Sequence, residues 1–588
     1  MRLTNTVALD IEIFPNYFLI AFKNADSGKA QSFSTTTKLS KDQRRTITKI
    51  MQRRVTFGFN SNNFDIPVLL YALAGSPVDK IKRLSDKIIE GGSPGWMTRR
   101  NFNLSLPQDW RHFDLKEPAP GVMVSLKLYG GRMGSRKLRD LPYPPDTELS
   151  EAQMREVEAY CVNDLDTTID LFNAIKPQLQ LRSDMSAQYG QDLMSKSDAQ
   201  IAEAVIRAAL GGSGQRPAKP AAVGYTAPDF IKFRSKSLKA VLALVNSHQF
   251  ELDGRGSVKL PKELASQQLT IGGTTYKIGI GGLHSMEKGQ AVVPGKGERL
   301  IDKDVASYYP SIILRLGLYP RHLGKPFLKV YEDIVKARLT AKRAGDKVTA
   351  DSLKIVVNGS FGKLGSPWSI LYSPDLMLAV TLTGQLSLLM LIERLEREGI
   401  RVVSANTDGF VSVVPDALAD TYERLCAKWE DRTGFELEAT EYLGLFSRDV
   451  NNYLAVKTDG KKGKGIFAAP SLMKNPQTPI VTEAAAEFLA HGTPVAKTIK
   501  NCTDVIKFLA VRTVTGGAEW RGQYLGKVVR WYYSENGDPI TYVKNGNKVA
   551  KSDGAVPMME LDEFPDDMDF DFYINEAKGV LESVQQPA

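Results

Sequence analysis

The stretch LIDKDVASYYP, residues 300–310, joins a short apolar strand to a tight aromatic turn. Asp304 stands at the end of the predicted strand, and Ser307, Tyr308 and Tyr309 follow it closely. A carboxylate in this position suits a metal ion that must meet a nucleotide, because such ions prefer oxygen ligands. An aspartate after a strand is also a common turn former or helix N-cap, so the interpretation depends on partner motifs elsewhere in the chain.

Length and composition indicate a multidomain globular protein with an anionic partner. The chain has 588 residues, 43% of them hydrophobic, and a formal net charge of +9. A single core rarely grows past about 300 residues, so several domains are expected. Excess positive charge favours nucleic acid. The three scattered cysteines, Cys161, Cys426 and Cys502, exclude a disulfide framework and a cysteine-rich metal module. They fit a reducing compartment, and no signal peptide is recognisable, so a cytoplasmic location is predicted.

Three further stretches have unusual composition. The apolar run at residues 376–392 is interrupted by polar residues, which predicts a buried helix and no membrane span. Residues 211–228 are rich in Gly, Pro and Ala, which predicts a linker or surface loop. Residues 559–572 hold seven acidic residues and no Lys or Arg. We expect a solvated C-terminal region there, with a partner-binding or self-shielding segment as the alternative.

The N-terminal stretch carries two carboxylates in one predicted strand. Residues 6–22 are predicted to form a hairpin in which Asp10 and Glu12, two positions apart, face the same way. Two carboxylates on one face repel each other unless a cation sits between them. The alternative is a solvent-facing edge strand.

A third carboxylate follows the next predicted strand. Residues 55–60 read as this strand, Asp65 comes shortly after it, and Asn60 has an amide that could bind a substrate. The alternative is an Asx turn that caps a helix starting near Pro67.

A helix predicted over residues 150–175 carries Tyr160 and Asp164. Their spacing places both side chains on one face, where the phenol can orient a water that the carboxylate helps to hold. A tyrosine on a helix is also commonly part of the core.

Residues 329–362 read as two helices that carry several cations. Arg338 and Lys342 share a face of the first helix, and Lys354 and Asn358 share a face of the second. An antiparallel pair would present three cations along a groove that fits a triphosphate. The alternative is a solvated, charged helical hairpin.

Residues 401–414 read as a strand, the turn NTDG and a second strand. Asp-Gly is a favoured hairpin turn, so Asp408 has an ordinary structural explanation.

In their order along the chain, these stretches resemble the motifs of family B DNA polymerases. The series D-x-E, N-x3-F-D and Y-x3-D resembles the three motifs of the proofreading 3′–5′ exonuclease domain, which has an RNase H-like fold. The resemblance implies two-metal hydrolysis of a 3′ phosphodiester. It assigns catalysis to Asp10, Glu12, Asp65, Tyr160 and Asp164, with the four carboxylates as metal ligands.

Two further exonuclease roles follow from the same resemblance. Asn60 and Phe64 would contact DNA. A catalytic lysine would fall between the second and third motifs, where Lys127 and Lys137 are the candidates.

The stretch D-V-A-S-Y-Y-P resembles motif A of the family, D-x-x-S-L-Y-P, with Tyr308 in the leucine position. By this resemblance Asp304 binds both metals and Val305 offers them its backbone carbonyl. Ser307, Tyr308 and Tyr309 would contact the nucleotide, and the ring of Tyr309 would exclude a 2′-hydroxyl.

K-I-V-V-N-G-S-F-G resembles motif B, K-x3-N-S-x-Y-G, with Gly359 and Phe361 replacing the usual Ser and Tyr. It implies nucleotide binding by Arg338, Lys342, Lys354 and Asn358. N-T-D-G resembles motif C, D-T-D-S. Asp408 occupies the place of its essential metal ligand, and Asn406 stands where the first Asp is usual.

Several residues are implied as DNA contacts by position within the family pattern. Gly281 and Gly282 match a Tyr-x-Gly-Gly element whose tyrosine is Gly279 here, and Tyr453 and Lys464 match elements that hold the primer. In the polymerase half, this set comprises Gly281, Gly282, Gly359, Phe361, Gly362, Thr407, Tyr453 and Lys464. Residues 520–533 mix cations and aromatic residues, which predicts a thumb that grips phosphates or, alternatively, an ordinary amphipathic strand pair.

The resemblance predicts a mixed α/β and α+β multidomain protein, an RNase H-like exonuclease followed by a right-hand polymerase. The predicted domains are the exonuclease (1–185), a connecting region with the N-terminal part of the palm (186–298), palm with motif A (299–328), fingers (329–362), palm with motif C (363–440), and thumb with an acidic C-terminal region (441–588).

The predicted activity is template-directed extension of a primer 3′-OH with dNTPs, with 3′–5′ proofreading. Two Mg²⁺ ions per site are implied, with Mn²⁺ as a substitute. The exonuclease motifs start at the N-terminus, and only 50 residues separate Asp304 from Lys354. Both features favour the compact bacteriophage-type branch, ordinary 3′-OH priming, and a monomer that works with a helicase, primase or single-strand-binding protein. The alternatives are an exonuclease with a decayed polymerase half, a protein-primed polymerase without the usual insertion, and a non-catalytic nucleic-acid-binding protein.

Overall fold

The computed structural model describes residues 3–121, 124–212, 214–561 and 563–585. The chain divides into two compact units. The first unit comprises Met1–Ser197, Pro470–Ile480 and Cys502–Tyr573, and the second comprises Asp198–Ala469, Val481–Asn501 and Ile574–Ala588. The residues predicted as one thumb region are therefore divided between the two units.

The N-terminal segment of the first unit alternates strands and helices. Its elements are β1 (Val7–Phe14), β2 (Tyr17–Asn24), β3 (Ala30–Thr35), α1 (Lys41–Arg53), β4 (Val55–Gly58), α2 (Asp65–Leu73), α3 (Val78–Gly91), α4 (Gly95–Asn101), β5 (Arg111–Asp114), α5 (Leu126–Met133), α6 (Glu151–Ala174) and α7 (Lys176–Tyr189). The predicted hairpin and the predicted long helix are both confirmed.

These strands form one five-stranded sheet in the order β3-β2-β1-β4-β5. β1 pairs antiparallel with β2 and parallel with β4, and β4 pairs parallel with β5. Apolar residues cover both faces of β1. Leu9 and Ile11 join one core, whereas Ala8 and Phe14 join a second core that also contains residues of α6. Because side chains alternate along a strand, even-numbered residues of β1 point toward α6.

The second unit begins at α8 and contains most of the remaining elements. They are α8 (Asp198–Ala209), β6 (Ala222–Gly224), α9 (Lys236–Ser247), β7 (Gln249–Glu251), α10 (Lys262–Ala265), β8 (Leu269–Ile271), β9 (Thr274–Lys277), β10 (His284–Ser285), β11 (Gln290–Val292), β12 (Glu298–Val305), α11 (Tyr308–Leu316), α12 (Lys325–Arg343), α13 (Lys347–Leu364), α14 (Pro374–Arg397), β13 (Arg401–Asn406), β14 (Gly409–Pro415), α15 (Ala419–Thr433), β15 (Leu437–Tyr442), β16 (Gly444–Asp449), β17 (Asn452–Lys457) and β18 (Gly460–Lys464).

A seven-stranded sheet organises this unit, in the order β15-β12-β14-β13-β10-β9-β8. A four-stranded sheet, β11-β16-β17-β18, adds a second layer of strands. The predicted helical pair is confirmed as α12 and α13, although the first helix starts four residues earlier than expected. Of the described helices, only α14 is long and apolar enough to cross a membrane, and 83% of its apolar window is buried within the protein. The prediction of a buried helix is confirmed.

The rest of the chain supplies elements to both units. They are α16 (Pro479–His491), α17 (Val495–Lys500), β19 (Ala510–Trp520), β20 (Gln523–Tyr533), β21 (Thr541–Tyr542), β22 (Ala555–Pro557) and α18 (Phe570–Gln585). The strands form a sheet in the order β21-β19-β20-β22.

The prediction that residues 520–533 grip phosphates is wrong for their central side chains. Arg530 and Trp531 are fully buried. The Arg530 guanidinium donates to the carbonyl oxygens of Met558 and Ser135, at 2.8 and 2.9 Å. These residues serve the interior of the first unit, as expected of the alternative strand pair.

The acidic stretch at residues 559–572 packs within the first unit, in agreement with the self-shielding alternative, although Glu563, Asp566, Asp567 and Asp571 are exposed. Glu560 forms an ion pair with Lys137 at 2.5 Å. The carboxylate of Asp567 accepts hydrogen bonds from the hydroxyls of Tyr532 and Ser534, at 2.8 Å each. Aromatic residues between the carboxylates pack inward, which composition alone did not indicate. Asp562 lies outside the described residues, as does Ser213 in the predicted linker.

Two candidate active sites

The first unit gathers four carboxylates at the junction of β1, α2 and α6. Asp10 and Glu12 lie on the face of β1 that points toward α6, and Cys161 on α6 places its Sγ 3.6 Å from Asp10 Oδ2. The ligand atoms of Asp10, Glu12 and Cys161 all lie within 4.8 Å of one another. Asp164 is close enough to raise the pKa of both β1 carboxylates. The fold therefore brings together the residues of the three predicted exonuclease motifs.

Burial raises the pKa of every carboxylate in this cluster, and repulsion by the other members raises the pKa of Asp10 and Glu12 further. Burial is the largest cause for Asp10, followed by the charges of Glu12, Asp65 and Asp164. Burial, with the charge of Asp114, raises the pKa of Asp65 to about 7. Such groups need either protons or a cation.

One carboxylate oxygen of Asp65 is buried without a hydrogen-bond donor from the described part of the chain. Its side chain is 3% exposed, and its Oδ1 has no hydrogen-bond partner among the described residues. A buried carboxylate oxygen without a donor is costly. Hard oxygen donors of this kind fit divalent cations such as Mg²⁺.

A turn between β4 and α2 positions Asp65. Asn60 adopts a left-handed backbone conformation, with φ of 59°. The backbone N–H groups of Asn60 and Asn62 donate to the two carboxylate oxygens of Asp114, at 2.8 and 2.9 Å. The side-chain oxygen of Asn60 accepts from Lys116 Nζ at 2.8 Å. Sequence analysis missed Asp114 and Lys116, although Asp114 ends a strand parallel to β4 at the same edge of the sheet.

The helix after this turn begins at Asp65, two residues before Pro67, and among the described residues no side chain caps its N-terminus. The predicted Asx-turn alternative is therefore wrong. Phe64 occupies the N-cap position and is half-buried, packed against the core on the other face of the sheet.

Lys127 and not Lys137 lies beside the acidic cluster. Lys127 Nζ is 4.8 Å from the centre of the Tyr160 ring and 2.8 Å from Asp140 Oδ1. Its charge lowers the pKa of Glu12 and Asp164 against the effect of burial. Lys137 instead pairs with Glu560. The alternative that sequence left open is resolved by position.

The second unit brings Asp304 and Asp408 together at one end of the β12–β14 pair. Asp304 is paired in register with Gly409, and the Val305 N–H donates to the Asp408 carbonyl oxygen at 2.7 Å. Burial raises the pKa of Asp408, and the charge of Asp304 raises it further. A Cβ on Gly409 would lie 2.0 Å from Asp304 Oδ1, so only glycine leaves this carboxylate its place.

The turn after β12 supports this pair of carboxylates. Ser307 has a left-handed backbone, with φ of 47°, and its Oγ accepts from Arg338 Nη1 at 3.1 Å. Tyr308 is 4% exposed, and its hydroxyl donates to the Gly384 carbonyl oxygen at 2.6 Å. The side chain of Tyr308 therefore belongs to the core, and its predicted contact with a nucleotide is limited to its backbone.

Tyr309 lies at the surface of this site beside the predicted motif B. Its ring centre is 4.4 Å from that of Phe361, and its hydroxyl donates to the Gly281 carbonyl oxygen at 2.5 Å. The adjacent glycine, Gly282, lies against Thr407, where a Cβ would approach Thr407 Oγ1 to 2.8 Å. The Gly-Gly segment thus covers the turn that carries Asp408.

The helical pair carries its predicted cations on exposed or partly exposed positions. Lys342 Nζ lies 3.9 Å from Glu438 Oε1. Lys354, Asn358 and Gly362 are exposed on α13. Gly359 instead faces α8, where a Cβ would meet the Asp198 carbonyl oxygen at 2.8 Å. Packing of α8, a helix that sequence analysis did not predict, accounts for glycine at this position.

Asn406 has a structural role that its motif did not reveal. Its Nδ2 donates to the Val450 carbonyl oxygen at 2.9 Å, and its Oδ1 accepts from Thr407 Oγ1 at 3.1 Å. The amide therefore ties the β13–β14 turn to the turn that follows β16. A carboxylate could make only the second of these bonds.

Sequence analysis also missed a network next to Asp304. Lys462 Nζ lies 3.6 Å from Asp302 Oδ2 and 3.8 Å from Asp304 Oδ2. Asp302 is buried and accepts a hydrogen bond from the Tyr442 hydroxyl. Burial and the charge of Asp304 raise the pKa of Asp302 to about 6. The sequence did contain one indication of this network: side chains alternate along β12, so Asp302 and Asp304 lie on the same face of the strand.

The two residues predicted to hold the primer, Tyr453 and Lys464, lie close to Asp304 and Asp408. Tyr453 on β17 pairs in register with Lys464 on β18. Burial lowers the pKa of Lys464, whereas the nearby charges of Asp408 and Asp304 act to raise it. These residues and Lys462 line one side of the carboxylate pair.

Comparison with protein-family models gives no match, and comparison with curated proteins gives none either. Among solved structures, the chain is similar to the family B DNA polymerase from the hyperthermophilic archaeon Pyrobaculum calidifontis. The TM-score is 0.43 at 16% sequence identity, over 99% of this chain and 78% of that chain. At this level of similarity the function has to be argued from the residues of the two sites.

Proposed function

We propose that the protein is a template-directed DNA polymerase of the family B type with a 3′–5′ proofreading exonuclease. The observation that carries the proposal is the convergence of Asp304, Asp408, Tyr309 and Arg338 at one end of the β12–β14 pair. These residues come from three separate stretches, and each offers a group that nucleotidyl transfer requires.

The second unit supplies the polymerase site in this proposal. Asp304 and Asp408, with the Val305 carbonyl, would hold two Mg²⁺ ions, and Mn²⁺ would substitute. Such ions activate a primer 3′-hydroxyl and neutralise a triphosphate. Arg338 is oriented by Ser307 toward the turn that precedes α11. Exposed Lys354 on α13 would bind phosphate oxygens and protonate the leaving pyrophosphate.

Discrimination against ribonucleotides is proposed to depend on Tyr309. Its ring is held on one side by Phe361 and at its hydroxyl by Gly281, so it cannot turn away from a 2′-hydroxyl. Tyr309→Ala should incorporate ribonucleotides at least about tenfold more readily than the parent. Without the tyrosine ring, the 2′-hydroxyl of a ribonucleotide no longer meets a steric obstacle. Competition between dNTP and NTP on one primer-template measures this ratio, and equal ratios would contradict the assignment.

The first unit supplies the exonuclease site. Asp10, Glu12, Asp65 and Asp164 would hold its two cations, and Tyr160 with Lys127 would orient the attacking water. The orphaned oxygen of Asp65 and the mutual repulsion of the cluster support a cation there. The sheet covered by helices on both faces is consistent with the RNase H-like fold that the resemblance implies.

Asn406 bears on the rival function, an exonuclease with a decayed polymerase half. Its substitution for Asp was the only sequence feature in favour of decay. Because its amide holds the turn of Asp408 through Val450, the substitution has a structural reason. Asp304 and Asp408 lie together at the end of the β12–β14 pair, which supports a catalytic role for both. We therefore favour two active sites.

The finer features of the proposal follow the sequence pattern. A compact bacteriophage-type enzyme would use ordinary 3′-OH priming on primer-template DNA. It would act as a monomer in the cytoplasm, with a helicase, primase or single-strand-binding protein to open duplex ahead of it.

A 5′-labelled primer on a longer template tests both activities in one experiment. With Mg²⁺ and dNTPs the primer should lengthen, and without dNTPs it should shorten. Asp304→Asn should abolish lengthening only, and Asp10→Ala with Glu12→Ala should abolish shortening only. Loss of both activities in either variant, or neither activity in the parent, would contradict the proposal.

A further inference from the structure

The short helix α4 carries an exposed surface that neither candidate site uses. Trp96 is 55% exposed, although tryptophan is usually well buried. Arg99 and Arg100 follow three and four positions later, so all three side chains lie on one face of the helix. The opposite face, with Gly95 and Thr98, is buried against the first unit. We call Trp96, Arg99 and Arg100 the α4 face.

The α4 helix is seated directly on the turn that positions Asp65. The Gly95 N–H donates to the side-chain oxygen of Asn63 at 2.9 Å. A Cβ on Gly95 would lie 1.9 Å from the Asn62 carbonyl oxygen, so only glycine allows this approach. The buried side of α4 therefore packs on the turn that leads into the acidic cluster, and the α4 face lies on the outer side of the same helix.

The charges of the α4 face are not neutralised within the part of the chain that the structure describes. Neither Arg99 nor Arg100 has a carboxylate within ion-pair distance there, in contrast to Arg83 on α3, which lies 3.4 Å from Asp79. Arg99 is half-buried, and this burial lowers its pKa. A partly desolvated guanidinium without a counter-ion favours an anion such as phosphate.

An exposed indole beside two arginines is typical of a surface that binds single-stranded nucleic acid. Bases stack on aromatic side chains, and arginines track the phosphates between them. In a duplex the bases are already stacked on one another, so the indole has no accessible partner.

We propose that the α4 face binds single-stranded DNA and delivers a frayed primer end to the acidic cluster. The proposal deepens the exonuclease function proposed above and rests on it for the direction of the strand. Trp96 stacks on a base a few nucleotides from the 3′ end, and Arg99 and Arg100 hold adjacent phosphates.

Equilibrium binding in EDTA separates this contact from hydrolysis. A fluorescein-labelled oligothymidylate of about 12 nucleotides spans a typical single-strand site. Trp96→Ala should weaken its binding about five- to tenfold, whereas Trp96→Phe should retain most of the affinity. Trp368→Ala is the matched control, since Trp368 is 72% exposed but belongs to the second unit. A duplex of the same length should show no difference between Trp96→Ala and the parent.

The arginines are tested by salt dependence. Each phosphate contact to a single strand contributes about 0.7 to the slope of log K against log salt concentration. Arg99→Gln with Arg100→Gln should therefore lower the slope by about 1.4. An unchanged slope, or equal losses on single strand and duplex, would overturn the proposal. Tighter retention of an RNA oligonucleotide than of DNA would also overturn it.

Photo-crosslinking places the strand. An oligonucleotide with 5-iododeoxyuridine near its 3′ end should crosslink to the peptide that contains Trp96, as identified by mass spectrometry. Crosslinks confined to other peptides would contradict the proposal. If the parent binds and crosslinks as expected but shows no hydrolysis with Mg²⁺, the exonuclease function fails and the single-strand site stands.

Discussion

Asn406 and Gly409 lie on either side of Asp408 in the chain. In each case, contacts of one or two atoms explain why this residue type stands at its position. Asn406 satisfies a backbone carbonyl in a neighbouring turn. Gly409 leaves space for the carboxylate of Asp304. Both departures from the motif D-T-D-S that this stretch resembles are therefore explained at the scale of single residues, and each leads to a prediction.

Asn406→Asp should destabilise the protein without increasing polymerase activity. The new carboxylate would face the Val450 carbonyl oxygen as acceptor against acceptor, at a cost of about 1–3 kcal/mol. Thermal unfolding and primer extension measure the two effects, with Asn545→Asp at an exposed position as the control. Faster primer extension by Asn406→Asp would contradict this prediction, because it would show that asparagine at this position lowers the polymerase activity.

Gly409→Ala should reduce primer extension while leaving exonuclease activity unchanged. The methyl group would displace Asp304 Oδ1, and a shift of about 1 Å in a catalytic group costs about a hundredfold in rate. Gly273→Ala is the control, because a Cβ there meets nothing within 4 Å. Extension at the parent's rate by Gly409→Ala would mean that Asp304 can move without loss.

At the scale of elements, β18 adds a lysine beside the carboxylates of the proposed polymerase site, where it would compete with a metal ion. Lys462 neutralises Asp302 and Asp304 together, and Tyr442 fixes Asp302. The side chain of Lys462 opposes cation binding by charge, whereas Asp302 favours it.

Lys462→Met and Asp302→Asn should therefore shift metal affinity in opposite directions. We expect Mn²⁺ to bind about three- to tenfold more tightly in Lys462→Met and more weakly by a similar factor in Asp302→Asn. Titration followed by electron paramagnetic resonance measures this without DNA. Both variants are made with Asp10→Ala and Glu12→Ala, so that only the second unit is titrated. Shifts of the same sign would contradict the electrostatic account.

Local patterns predicted the elements that carry the candidate residues, whereas contacts between distant elements were not predictable. Alternation placed Asp10 with Glu12, and helical spacing placed Tyr160 with Asp164. Asp114 and Lys462 reach their partners only through sheet order and strand register, which one sequence does not specify. The packing of α8 on Gly359 is of the same kind. The burial of Arg530 was not predicted, because a cation beside aromatic residues is equally typical of an exposed phosphate-binding surface.

At the scale of the whole molecule, the acidic cluster makes the stability of the first unit depend on pH and metal. The pKa of Asp65 is raised to about 7 in the folded protein, against about 3.9 in an unfolded chain. Between these values the folded state holds a proton that the unfolded state has released. Stability should therefore fall as pH rises through this window in the absence of metal.

Calorimetry in EDTA tests this pH dependence. Between about pH 5 and 8 the unfolding temperature of the first unit should fall by about 2–4 °C. Asp65→Asn should flatten the dependence, because the amide does not titrate. Mg²⁺ should restore stability at the higher pH by taking the place of the proton. A transition that rises with pH in EDTA would contradict the assignment.

The first unit is assembled from three separate segments of the chain, and this imposes an order on its biosynthesis. Arg530 and the strands around it complete the interior beside α5 and Ser135, yet the ribosome makes them hundreds of codons after β1. The nascent N-terminal segment must wait, with part of its apolar surface exposed, until residues 502–573 emerge. A premature stop codon in the last part of the message would therefore cost the protein its N-terminal unit, far from the truncation itself.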